Sequence, residues 1–115
     1  MNSTTEAKAT KLEFFDPPMC CPTGICGPSV DEKLVQIQAD IETLKTKYPN
    51  LVIERYMITQ QPLKFRDNPA VYQLVKDQGK TVLPITTING TIIRTGGYPS
   101  LAEIEQQLAG IRHGD

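Results

Sequence analysis

Apolar positions in this chain recur with two different periods, and the switches between them divide it into elements. Lys11 to Phe15 reads as a short strand, stopped by Asp16-Pro17-Pro18. Ser29 and Glu32 have the spacing of a capping box. Beyond them Leu34, Ile37, Ile41, Leu44 and Tyr48 follow three-four spacing and predict a helix to Lys47 or Tyr48, ended by Pro49-Asn50. Leu51 to Ile58 is β-branched, alternates near its centre and predicts a strand. Thr59 to Asp67 reads as a polar connection containing Pro62. Asn68 as N-cap and Pro69 at the first helical position open a shorter helix, with Val71, Leu74 and Val75 on its apolar side and Gly79 as its stop. Thr81 to Ile88 predicts a strand interrupted early by Pro84. Asn89-Gly90 is the strongest hairpin signal in the chain, and Thr91 to Thr95 is its returning strand. A second capping box, Ser100 with Glu103, opens a last helix that places Leu101, Ile104, Leu108 and Ile111 on one face.

The order is β-α-β-α-β-β-α. It predicts an α/β domain of thioredoxin-like arrangement, a central mixed four-stranded sheet with crossover helices and a hairpin finishing one edge. At 115 residues the chain is one domain. Residues 1–10 read as a disordered leader rich in Ser, Thr and Ala, 11–112 as the folded unit and 113–115 as a tail. Aromatic content is low and Trp is absent, so an aliphatic core is expected. A formal net charge of −1 supplies no overall electrostatic footprint for nucleic acid. No apolar run approaches a membrane span, and Met1 to Thr10 lacks the apolar stretch of a signal peptide. The expected compartment is the cytoplasm, where thiols stay reduced.

All three cysteines, Cys20, Cys21 and Cys26, fall within one Pro- and Gly-containing stretch between the first strand and the first helix. Their spacing is C-C-x4-C. It is neither the paired C-x2-C of a zinc ribbon nor the C-x-x-C of a disulfide oxidoreductase. Adjacent Cys20 and Cys21 sit about 3.8 Å apart at Cα, short of the roughly 4.4–6.8 Å of a relaxed disulfide. A regulatory disulfide would join Cys26 to Cys20 or Cys21. Three thiolates without an obvious fourth ligand suit a soft ion that accepts three sulfurs. Arsenic(III) and antimony(III) do so, and copper(I) tolerates the same set, whereas zinc usually asks for four ligands. The N-terminus of the helix that follows favours thiolate over thiol, most strongly at Cys26. Buried structural cysteine is the bland alternative, and clustering in a loop argues against it.

The segment Phe15-Asp16-Pro17-Pro18-Met19-Cys20-Cys21-Pro22-Thr23-Gly24-Ile25-Cys26-Gly27 resembles the N-terminal signature of the ArsD family. The likeness continues through Val52-Ile53-Glu54-Arg55-Tyr56, the run Gln60 to Phe65 and Leu83-Pro84. The resemblance implies a metallochaperone for arsenic(III) or antimony(III), with Cys20, Cys21 and Cys26 as ligands. The metalloid would be cargo taken from its glutathione complex and passed to the ATPase subunit of an arsenite efflux pump. It also implies a metalloid-responsive repressor of the arsenical resistance operon that binds operator DNA as a homodimer, and a protein that is not an enzyme and holds no permanent cofactor. This chain lacks the vicinal cysteine pairs that some members carry near the C-terminus. In thioredoxin-like folds the position of Pro84 commonly holds a cis-proline, against a base rate that favours trans. The rival readings are a thiol-disulfide oxidoreductase and a copper(I) or zinc carrier. His113 reads as solvated, Asp16 as an Asx-turn residue, and the scattered lysines as surface. Gln60, Gln61 and Phe65 read as loop polarity and one anchoring aromatic, and the resemblance adds a partner surface as their alternative role.

Overall fold

The structure is a computed structural model that describes residues 10–18 and 32–113, with side chains through residue 110. The leader before Thr10, the cysteine segment with the Ser29 cap, and the terminal Gly114-Asp115 lie outside the described residues.

Four strands form one sheet in the order β2-β1-β3-β4: β1 (Lys11–Asp16), β2 (Val52–Met57), β3 (Ile85–Ile88) and β4 (Thr91–Thr95). β1 pairs parallel to β2 and antiparallel to β3, and β3 pairs antiparallel to β4. The parallel pair needs a crossover, and α1 (Glu32–Lys47) supplies its described part. The mixed sheet and the βαβαββα order of its main elements are the thioredoxin-like arrangement expected from the sequence.

Strand alternation sorts the core into two layers. Leu12, Phe14 and Ile88 face α1 and α4 (Leu101–His113), packing with Ile37, Ile41, Leu44, Ile104 and Leu108. Phe15, Tyr56 and Ile85 face the opposite side and meet Phe65 and Val71. These come from α2 (Pro62–Asp67) and α3 (Pro69–Gln78). The Phe15 ring sits 5.2 Å from Phe65, nearly edge-on at 77°. The buried rings of Phe14, Phe15 and Phe65 overturn the expectation of an aliphatic core.

Two stretches differ from the sequence reading. The connection Thr59 to Asp67 is helical from Pro62 on, because Pro62 occupies a first-turn position and Phe65 gives even a six-residue helix a side chain to bury. The third strand begins after Pro84. Gly79–Val82 forms a 3₁₀ turn, and the Leu83–Pro84 peptide is cis. Proline lacks the N–H that a strand residue there would donate.

The caps and turns follow their residues. Asn68 Oδ1 accepts from the amides of Ala70 and Val71 at 3.1 and 3.3 Å. Ser100 Oγ accepts from the Glu103 amide at 3.1 Å. Asn89 and Gly90 both have positive φ, +52° and +87°, as a two-residue hairpin turn requires. Asn89 also extends the β1–β3 pairing, since its Oδ1 accepts from the Lys11 amide at 2.9 Å. α4 takes in His113 as its last residue.

Candidate functional site

Asp16 ends β1, and the chain runs on through Pro17-Pro18 to the cysteine segment, returning to description at Glu32 in the first turn of α1. Cys20, Cys21 and Cys26 therefore lie outside the described residues. The register Phe15 opposite Ile85 sets Leu83–Pro84 at the same end of the sheet as Asp16. Among the described residues no three His, Cys, Asp or Glu side chains converge as metal ligands, and no helix is long and apolar enough to cross a membrane.

The described part of this end is built on a buried polar network. Asp16, only 1% exposed, accepts from Arg55 Nε at Oδ2 over 3.0 Å and from the Tyr98 hydroxyl at Oδ1 over 2.5 Å. Arg55 also donates to Gln38 Oε1 of α1 at 3.3 Å and to the Tyr98 oxygen at 3.4 Å. Its guanidinium carbon lies 5.9 Å from the Tyr98 ring centre. The network joins the end of β1, the middle of β2, α1 and the segment entering α4. The strand phase explains its location: Arg55 pairs across from Phe14, so it shares the α1–α4 face with Phe14 and Asp16.

Burial dominates the electrostatics. It pushes the Asp16 carboxyl above its ordinary value of 3.8, although Arg55 and the hydrogen bonds from Tyr98 and Arg55 pull the other way. Burial likewise raises the Tyr98 phenol, with the negative Asp16 beside it adding to the effect. On the opposite face Tyr56 donates to Glu13 Oε2 at 2.7 Å, and its phenol is raised by burial and by that bond.

Sequence reasoning missed this network. Asp16 does not serve simply as a local turn residue, since its two carboxylate oxygens are taken by side chains from β2 and from the approach to α4. The available signal was an arginine at an inward position of an alternating strand. Of the residues read as loop polarity, Gln61 accepts from the Met57 amide at 3.3 Å and Phe65 belongs to the core. Gln60 is exposed, as is Lys64, whose ammonium lies 5.6 Å from the centre of the Tyr56 ring.

The family model described as "Arsenical resistance operon protein ArsD" matches residues 9–113, a span that runs through the cysteine segment and every described element. The chain belongs to the ArsD family. Two Escherichia coli proteins named "Arsenical resistance operon trans-acting repressor ArsD" are 39% and 38% identical to it over 93 residues, 81% of this chain and 76% of theirs. The crystal structure of an arsenical resistance operon trans-acting repressor from Bacteroides vulgatus ATCC 8482 is 33% identical. It superposes with a TM-score of 0.76, covering 85% of this chain and 91% of that one. The described sheet, with its network at the end of β1, is thus an ArsD fold, and the cysteines fall inside the matched span.

Proposed function

We propose that this ArsD-family chain binds arsenic(III) or antimony(III) through Cys20, Cys21 and Cys26 and acts as a metalloid-responsive trans-acting repressor of the arsenical resistance operon. The same thiols carry the metalloid to the ATPase subunit of an arsenite efflux pump. The observation that carries this reading is the confinement of every thiol in the chain to one short segment between β1 and α1. The family match and the names of the relatives support the regulatory part.

The chemistry is ligand exchange without redox change. A metalloid arriving as its tris-thiolate complex with glutathione is attacked by one protein thiolate. One arsenic–sulfur bond forms as another breaks, and the leaving thiolate takes up the proton that the incoming thiol released. Three such exchanges move the ion to the protein, and the same steps with an acceptor thiol move it on. No bond within an organic substrate changes in these steps, which makes the protein a carrier and not an enzyme; the family resemblance adds a homodimer, and the reduced thiols such exchange needs belong to the cytoplasm.

The test is anaerobic titration of the reduced protein with arsenite, counting thiols consumed and recording the X-ray absorption of the complex. Three sulfur neighbours per metalloid are expected, together with release of an operator fragment in a mobility assay and stimulation of the pump ATPase at low arsenite. The Cys20→Ser, Cys21→Ser and Cys26→Ser triple variant should lose the metalloid effects. A first shell of nitrogen or oxygen would remove the thiolate reading. Full ATPase stimulation by the triple variant would remove delivery through these thiols. Turnover of insulin disulfides matching a thioredoxin control would move the oxidoreductase reading to first place.

A further inference from the structure

A groove of about 710 Å³ runs between the first half of α1 and the entry to α4. This is within the range of small-ligand sites. One wall carries Lys33, Gln36, Ile37 and Asp40 of α1, and the other is the run from Tyr98 to Glu103. Arg94 of β4 also lines it. No part of the network around Asp16 occupies this groove except the Tyr98 side chain, which belongs to both.

The lining is apolar in part, through Ile37, Pro99 and Leu101, and its charges are of both signs. Asp40 is only 6% exposed, an acid on the same helix face as core residues Ile37, Ile41 and Leu44. Its Oδ1 accepts from Gln36 Nε2 at 2.9 Å. A buried carboxylate has room for further donors, and a neutral amide compensates its charge poorly. At the other side Arg94, whose side chain is 48% exposed, makes a 3.3 Å pair with Glu103 Oε1. The first turn of α4 stands beside it. There Ser100 satisfies the Glu103 amide, while the amides of the preceding residues have no helical acceptor. One part of the groove thus suits an ammonium group and another a carboxylate.

We propose that this groove binds a short zwitterionic peptide thiol, the carrier from which the cysteine segment receives its metalloid. The ammonium group sits at Asp40, and a carboxylate sits at Arg94 and the first amides of α4. The inference rests on the thiol-exchange reading above for the ligand's role. Two placements connect the groove to that exchange. Tyr98 lines it and donates to Asp16, from which the chain leads toward Cys20. Lys33 lines it one residue after the described chain resumes at Glu32, on the Cys26 side. A peptide lodged there lies next to both ends of the segment that carries the thiols.

The probe is S-methylglutathione, which has the same charges as glutathione and no thiol to exchange. It is titrated into the reduced full chain with amide chemical shifts as readout. Saturable shifts confined to α1 from Lys33 to Asp40, Arg94 and the residues 98–103 are expected. Arg94→Ala, at a half-exposed position that should not disturb folding, is expected to weaken binding roughly ten-fold, the usual scale of one charge-assisted bond. Asp40→Asn should weaken it similarly, and N-acetylation of the probe should have no further effect in that variant. Exposed Glu42→Gln should change nothing. In a transfer assay from the arsenic–glutathione complex, Arg94→Ala should slow uptake at low donor concentration while leaving the affinity for free arsenite unchanged. Absence of saturable shifts at millimolar probe, in a protein that binds arsenite through three thiols, would overturn the groove and leave the function standing. Equal binding of inorganic phosphate, with the same dependence on Arg94, would reduce it to an anion site and overturn the peptide assignment. Probe binding in a protein that fails to bind arsenite would overturn the carrier role along with the proposed function.

Discussion

Arg55→Met is the sharpest probe of the network at the end of β1. It removes three hydrogen bonds at once, to Asp16, Gln38 and Tyr98, and leaves Asp16 buried with the Tyr98 hydroxyl as its remaining side-chain donor among the described residues. Removing one partner of a buried ion pair typically costs about 3–5 kcal/mol. A domain of this size holds about 5–15 kcal/mol in all, so the variant gives up about a fifth of its stability at the least and most of it at the upper end. With a urea slope of about 1.5–2 kcal/mol/M, the midpoint should fall by about 2 M. Adding Asp16→Leu should recover part of that loss, because the double variant buries no charge at this position. The coupling between the two changes is the quantity to measure, and a double variant as unstable as the two single losses summed would refute a direct pairing. The pH dependence supplies a second check with a fixed sign. Burial raises the Asp16 carboxyl in the folded state above 3.8, so the native protein holds its proton more tightly than the unfolded chain. The corresponding stability is present in full below 3.8 and is lost as pH rises through the folded value. Arg55→Met removes the main opposing charge, lifts that value further and widens the window upward. The cost of the substitution should therefore be small in acid and largest near neutrality. A cost that stays constant from below pH 3.8 to neutrality would show that Arg55 acts by packing and not by compensating Asp16.

Asn68→Ala removes the cap on the amides of Ala70 and Val71 and should cost about 1 kcal/mol in urea unfolding, with Asn68→Asp retaining most of it. Thr87→Val should raise the urea midpoint by the equivalent of about 1 kcal/mol, since the Thr87 hydroxyl is buried without a partner among the described residues; a loss of similar size would reveal a partner for it. Phe65→Ala should cost about 3–5 kcal/mol because the ring is buried against Phe15, whereas neighbouring Leu63→Ala, at 64% exposure, should stay within about 0.5 kcal/mol. Equal effects at the two positions would mean that α2 is held by something other than Phe65.

What the sequence disclosed follows the range of the interactions involved. Asn68 with Pro69, Ser100 with Glu103, and Asn89-Gly90 each act over a few residues, and each stands where its local chemistry predicts. The helix at Pro62–Asp67 escaped because six residues are too few to display a period, and one buried Phe65 anchors it through tertiary contact. The strand expected from Thr81 shrank to Ile85–Ile88, since apolar Val82 and Leu83 are buried in a turn and not in a ladder. The Asp16 network was the least legible feature. Its members are separated by 39, 43 and 82 positions, and nothing near Asp16 announces Arg55 or Tyr98. For the candidate site the balance runs the other way. The expectation of soft-ion chemistry rests on the type and spacing of Cys20, Cys21 and Cys26, which lie outside the described residues, while the network at the end of β1 emerged only from the fold.

That scaffold bears on how a thiol segment is held for exchange. A buried ion pair is a poor device for stability alone, because well-packed apolar residues of similar volume often do as well or better. Its distinguishing property is directional: Arg55 bonds Asp16, Gln38 and Tyr98 only when β1, β2, α1 and the entry to α4 are in one relative placement. For the exchange proposed above, precision can come from where the described residues on either side of the cysteine segment are fastened. Asp16 fastens one end through side chains from β2 and the α4 approach, and Gln38 ties α1, at the other end, to the same arginine. Tyr98 extends the same bonding to the groove proposed for the incoming carrier. In the proposed function, metalloid uptake and carrier docking would be linked to the end of the sheet through one tyrosine. Tyr98→Phe, which keeps the ring and deletes the hydroxyl, is the substitution that separates them. It should leave the apolar wall of the groove in place while loosening Asp16. Carrier binding that persists with slower transfer to the cysteines is the outcome this linkage requires, and unchanged transfer would break it.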